Sequence, residues 1–185
     1  PGICGAIHEV RPDAVMACGY NWSTIGRLYE QQVVDVNYDA SDDAALVDSM
    51  CYYLATRKPD FTFIAFNEPD GVGHSIGWES DEYFEMCKVI DSYVGRVLKT
   101  LEENGMIDEA IVFFTADHGG IGKGHGSISM AEMETPFVVW GKGIARGHKI
   151  QESVMVFDTA PTVGYIFSIE QPQVWIGRPV MSVFE

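Results

Sequence analysis

Phe61-Thr62-Phe63-Ile64-Ala65-Phe66-Asn67-Glu68-Pro69-Asp70-Gly71-Val72-Gly73-His74 begins as a strand and ends as something else. Its first six residues are apolar, aromatic or β-branched, the composition of a half-buried or buried strand. Asn67 to Pro69 then break the pattern, and Asp70 and His74 follow among glycines. A second stretch repeats the grammar. Ile111-Val112-Phe113-Phe114-Thr115 runs into Ala116-Asp117-His118-Gly119-Gly120, and His125 follows seven residues after His118. Two strands that each deliver an Asp and a His at their carboxyl ends suggest an open sheet with a ligand site beyond those ends.

Working outward, short apolar runs at Ala14–Cys18, Val33–Val36 and Phe137–Trp140 supply three more expected strands. Ile111–Thr115 and Phe137–Trp140 are continuous rather than alternating, which predicts strands covered on both faces. Helical spacing separates the runs. Ser80 reads as an N-cap with Asp81 and Glu82 in the first turn, where the helix dipole favours acids. Phe84, Cys87, Ile90, Val94, Leu98 and Leu101 keep the helical period, and Asn104-Gly105 supplies the stop. A second helix is expected from about Asp42 to Thr56, burying Leu46, Val47, Met50 and Leu54. A third is expected over Thr159–Ser168, with Pro161 in its first turn. The tail after Ile169 reads as irregular structure lying on the rest. Strands alternating with helices predict an α/β fold with a mostly parallel sheet and helices on both faces.

Composition narrows the function classes. Twelve basic against 27 acidic residues leave the 185-residue chain at −15, which argues against a nucleic-acid duplex as partner. A small phosphate ester stays compatible if metal ions supply positive charge. No apolar run approaches the ~18 residues of a membrane helix, so no membrane span is expected. The four cysteines have no close metal spacing. Cys51 and Cys87 read as buried free thiols on helices, and no disulfide pairing is favoured.

Three of the five histidines, His74, His118 and His125, fall in the two glycine-rich stretches. Asp carboxylate and His imidazole are suitable ligands for zinc and similar divalent ions. Glycines at 71, 73, 119, 120, 122, 124 and 126 are expected to let the backbone turn and approach a bound group closely. Other features carry less. Lys123 precedes Gly124 and no Gly-Lys-Ser/Thr is present, so there is no Walker A loop. His125 stands where a Rossmann fingerprint starting at Gly120 needs its last glycine. Acids at 39, 42 and 43 read as a solvated turn and helix start, since the EF-hand glycine and final glutamate are missing. Asn67 and Glu68 read as turn residues beside the site, with substrate contact as the alternative.

Pro69-Asp70-Gly71-Val72-Gly73-His74 followed by Gly77 resembles the P-D-x-x-G-H-x-x-G element of the alkaline phosphatase superfamily, most nearly its type I phosphodiesterase/nucleotide pyrophosphatase branch. Thr115-Ala116-Asp117-His118-Gly119-Gly120 resembles its second metal motif. Gly124-His125-Gly126, with Met133 to Gly141, resembles the stretch holding its last His ligand. Asp158-Thr159-Ala160-Pro161-Thr162 and Gly177-Arg178-Pro179-Val180 are similar to the usual end of such domains.

The resemblance implies that Asp70, His74 and His125 hold one divalent ion, zinc with manganese as alternative, and that Asp117 and His118 contribute to a second. It implies a phosphoric-ester hydrolase acting on phosphodiesters or nucleotides, with phosphomonoesters next. In the family an upstream Asp and a Thr or Ser nucleophile complete the second site, and neither motif is found in this sequence. Cys18-Gly19-Tyr20-Asn21-Trp22 only faintly resembles the nucleophile segment, and Cys18 reads better as a strand residue. Residues 1–185 are therefore expected to be one C-terminal portion of a catalytic domain, inactive alone. Alternatives in the same superfamily are a cofactor-independent phosphoglycerate-mutase-like phosphomutase and a sulfatase. A non-catalytic metal-binding module is the alternative of another class. Export to a periplasmic or extracellular location is implied by resemblance only.

Overall fold

All five residues of Met16–Tyr20 are buried, and this strand, β1, is the axis of the fold. The computed structural model describes Pro1–Glu185. Around β1 lie helix α1 (Ile3–Val10), strand β2 (Val36–Asp39), helix α2 (Asp43–Arg57) and strand β3 (Phe61–Ala65). There follow helices α3 (Asp70–Ser75) and α4 (Asp81–Glu103), strand β4 (Ile111–Thr115), helix α5 (Met130–Met133), strand β5 (Phe137–Gly141) and helix α6 (Thr159–Ile166).

β2, β1 and β3 form a parallel sheet in that order, with Ala17 opposite both Val36 and Thr62. The two-residue period of β1 divides the core. Met16 and Cys18 join Cys4, Ile7 and Ala14 on the α1 side, where Phe167 and Ile169 close over them. Ala17 joins Val36, Ala40, Leu46 and Met50 on the α2 side. Fully buried Ile7, Met16, Leu46 and Met50 each stabilise the fold by about 1.5–3 kcal/mol relative to exposure. Helices thus cover both faces, as the α/β reading requires. α4 lies against α2 and begins as expected, with Ser80 Oγ accepting from Tyr83 N–H at 3.2 Å. It stops at Asn104 and Gly105, where φ reaches +67°.

Several expectations change. β4 and β5 pair antiparallel, Ile111 opposite Gly141, in a separate two-stranded sheet. One face of this pair, with Ile111, Phe137 and Val139, packs on Ile144, Val180 and Val183. The other leaves Phe114, Val138 and Trp140 42%, 54% and 49% exposed, so these strands are covered on one face only. β2 starts at Val36 rather than Val33, because Gln31–Val33 wind into a 3-10 turn. Cys51 and Cys87 are only half-buried; Cys4 and Cys18 are the buried thiols, with sulfurs 3.8 Å apart. The acids after β2 divide. Asp42 caps α2 through Ala45 N–H at 2.8 Å, while Asp43 is buried rather than solvated.

The tail is irregular apart from a 3-10 turn at Met181–Val183, and it is pinned from α6. Asp158 accepts from Met155 N–H at 2.8 Å and Arg178 N–H at 2.9 Å. Thr162 Oγ1, fully buried, donates to the Asp158 carbonyl at 2.7 Å and accepts from Val180 N–H at 3.0 Å. No helix is long and apolar enough to cross a membrane.

Candidate metal centre

The chain leaving β3 turns through Asn67–Pro69 and enters α3 at Asp70, which the sequence reading treats as loop. The helix is what makes the Asp-x-x-x-His spacing productive. Residues four apart share a helix face, and His74 Nε2 stands 3.5 Å from Asp70 Oδ2. The segment after β4 closes on the other oxygen. His125 Nε2 is 3.8 Å and His118 Nε2 4.0 Å from Asp70 Oδ1. Ligand atoms of Asp70, His74 and His125 all lie within 4.8 Å of one another. Asp117 adjoins them, its Oδ2 3.7 Å from His118 Nε2, although its side chain is 78% exposed. All five expected residues therefore meet in one cluster, built from the ends of β3 and β4.

Two local features suit a divalent ion. Asp70 Oδ1 is shut off from solvent and accepts no hydrogen bond, a costly state for a carboxylate oxygen left without a partner. The imidazoles are also oriented. His74 Nδ1 lies 3.1 Å from the Lys123 carbonyl, and His118 Nδ1 lies 2.8 Å from the Gly119 carbonyl. A carbonyl can only accept, so each Nδ1 donates there and each Nε2 is the ring atom turned toward Asp70. Metal-ligating histidines are held by this same kind of outer contact. The rings of His118 and His125 stack with centroids 3.7 Å apart at 18°.

Residues absent from the sequence reading support the cluster. Trp78, nearly buried, stands edge-on to His74 at 5.1 Å and lies 5.9 Å from His125. Gly73 and Gly120 are small to admit this indole: a Cβ at either would run into it. Gly71 makes room for the Glu68 carboxylate, and Gly119 for the Ala131 carbonyl. At these four positions the glycines serve close approach of protein to protein, not to a bound group. Lys123 spends its ammonium on the Ser75 carbonyl at 2.8 Å, and Trp78 N–H donates to Gly122 O at 2.8 Å. Together with the His74–Lys123 contact, these bonds strap the loop after His118 onto α3. Glu68 is a turn residue, as read: its Oε2 accepts from Val72 N–H at 3.0 Å.

Glu132 anchors the far side. Its carboxylate accepts from the Ser127 and Ser129 hydroxyls and from Ser127 N–H, which hold it down at about 2. Its carbonyl takes Gly119 N–H at 2.8 Å. Ser129-x-x-Glu132 has the spacing of a capping box and was the available signal for both Glu132 and α5. Nothing local in the sequence marks Trp78.

Residues 10–133 match the family model of type I phosphodiesterase / nucleotide pyrophosphatase. The chain belongs to that family. Among relatives of this type I phosphodiesterase family member, human ectonucleotide pyrophosphatase/phosphodiesterase family member 7 is 32% identical over 75 residues, 40% of this chain and 16% of that protein. The 2,3-bisphosphoglycerate-independent phosphoglycerate mutase of Pseudoalteromonas translucida is 27% identical over 144 residues, 75% of this chain and 26% of that protein. A putative sulfatase from Bacteroides thetaiotaomicron has the same fold, with a TM-score of 0.73 at 16% identity, over 99% of this chain and 56% of its own. The family thus sits in a superfamily of phosphoric- and sulfuric-ester hydrolases and phosphomutases that use divalent metal ions. The matched stretches span only 16–26% of these curated relatives' length.

Proposed function

We propose that this chain is the metal-binding part of a divalent-metal-dependent phosphoric-ester hydrolase, with phosphodiesters or nucleotides as substrates. The observation that carries this reading is the solvent-excluded, unpartnered Asp70 Oδ1 facing two imidazole nitrogens. Asp70, His74 and His125 would hold one ion, zinc in the first instance and manganese as the alternative. Asp117 and His118 would contribute to a second, whose remaining ligands and Thr or Ser nucleophile lie outside residues 1–185. Such ions neutralise phosphoryl oxygens, lower the pKa of a bound hydroxyl and stabilise the leaving group. The chain's own part is to fix the His74 and His118 imidazoles by backbone contacts and to keep Asp70 Oδ1 dry. Export of the enzyme is part of the same proposal, by likeness to exported relatives.

Calorimetric titration with zinc and with manganese tests the metal assignment. One ion should bind tightly, be lost in His74→Ala and in His125→Ala, and be largely kept in Asp117→Ala. Absence of binding, or equal binding by His74→Ala, overturns it. The nucleophile assignment is tested separately with p-nitrophenyl phosphodiester, phosphomonoester and sulfate ester. Residues 1–185 should turn over none of them, and turnover would place the nucleophile within this chain. In the larger enzyme, preference for the sulfate ester would favour a sulfatase, and transfer between phosphoglycerates a phosphomutase.

A further inference from the structure

We propose that Asp43 is a positioning residue for the metal centre, fixing from the first turn of α2 the backbone that carries Asp70. This rests on the reading that Asp70, His74 and His125 bind a divalent ion. Asp43 is 6% exposed, and each of its oxygens takes one donor. Oδ1 accepts from Asn67 N–H at 3.0 Å and Oδ2 from Glu68 N–H at 2.9 Å. These are consecutive N–H groups just past the last residue of β3, where the sheet offers them no partner. Buried backbone donors have to be met by something, and here one residue, 24 and 25 positions earlier, meets both. The adjoining Glu68 then passes the order on, since its carboxylate accepts from Val72 N–H in the first turn of α3. The path therefore runs from α2 through Asn67 and Glu68 to the helix that presents Asp70 and His74 on one face.

The neighbouring Asp42 separates this role from ordinary helix support. Asp42 caps α2 through Ala45 N–H at 2.8 Å, whereas Asp43 makes none of the helix's capping bonds. Burial pushes the Asp43 carboxyl above its ordinary range, against the pull of its two N–H donors. No cation pairs with Asp43, and its carboxylate is engaged by the Asn67 and Glu68 N–H groups.

Cobalt(II), whose visible bands report ligand geometry, is the probe. The full chain is titrated as native protein and as Asp43→Ala, Asp43→Asn, Asp42→Ala and His74→Ala. Outer contacts of metal ligands are typically worth about 10–100-fold in affinity; Asp43 acts one step further out, and Asp43→Ala should lose about 10-fold, the low end of that range, with altered visible bands. Asp43→Asn keeps one carbonyl acceptor for two donors and should fall between, which keeps the test decisive if Asp43→Ala folds poorly. Asp42→Ala should lower the melting temperature yet leave cobalt affinity and spectrum unchanged. Amide exchange at Asn67 and Glu68 should accelerate in the Asp43 variants alone. The proposal is overturned if both Asp43 variants bind cobalt with native affinity and spectrum, or if Asp42→Ala loses as much. Failure of the native chain to bind cobalt, or native-like binding by His74→Ala, overturns the metal reading itself and this inference with it.

Discussion

Gly120→Ala tests whether the indole of Trp78 is a rigid floor beneath the histidines. A Cβ at Gly120 would be driven into the indole at its fusion carbons Cδ2 and Cε2 and the adjoining Nε1. The ring has little freedom to retreat. Gly73 lies against it, where a Cβ would come within 2.7 Å of Cε2, and His74, His125 and Tyr83 surround it at centroid distances of 5.1, 5.9 and 6.2 Å. Its backbone is tied to Gly122 O at 2.8 Å. Forcing one carbon into such a site costs about 1–3 kcal/mol. For a chain of this size each kcal/mol is about 2–4 °C, so the melting temperature should fall by roughly 2–12 °C. Gly124→Ala is the matched control, since a Cβ there meets nothing within 4 Å. It should stay within about 0.5 kcal/mol of the native protein. Thermal unfolding followed by near-ultraviolet circular dichroism reads both variants. A Gly120→Ala melting temperature indistinguishable from that of Gly124→Ala would refute the rigid-floor argument.

Two further predictions concern buried polar groups. Glu132 is held at about 2 in the fold against an ordinary 4.5, so its contribution is present above about pH 4.5 and is lost as pH falls toward 2. Glu132→Gln should therefore flatten the acid limb of a stability-against-pH curve in that window, and an unchanged limb would discount the Ser127 and Ser129 contacts. Thr162→Val keeps the shape of a fully buried residue but strands the Val180 N–H. It should cost about 1–3 kcal/mol, read as a lower urea midpoint with unchanged slope; a midpoint within error of native would mean Val180 finds another acceptor.

What could be read in advance follows from how local the cause is. α4 was legible because its cap, first-turn acids, apolar stripe and stop all lie within Ser80–Gly105. That Asp70, His74, Asp117, His118 and His125 would come together was legible because type and spacing survive in one dimension. α1 was not, because Gly2 offers no capping side chain and the free N–H groups of Gly2 and Gly5 go to Glu30, 28 and 25 residues away. β2 was displaced because Val33 and Val34 look like a strand, yet they pack against the α1-side core from outside the sheet. The antiparallel sense of β4 and β5 is invisible in a two-residue period. Its trace was the link over residues 116–136, which holds only the four-residue α5 and so lacks the helix a parallel crossover usually needs. Asp43 was hidden because two adjacent acids at a helix start look interchangeable until their partners are seen.

The straps between α3 and the loop after His118 bear on how the site would trade one ion for another. His74 is tied to Lys123, Lys123 to Ser75, and Trp78 to Gly122, all by bonds that need no metal ion. An arriving ion would find the two halves of the cluster already joined, with the ordering entropy met when the chain folded. Stripping with a chelator would then leave the loop docked, and reloading would be a simple association instead of a folding event. Discrimination among zinc, manganese and their neighbours would fall to the preferences of nitrogen and oxygen donors. A site so framed would select by coordination chemistry and by which ion the surroundings supply.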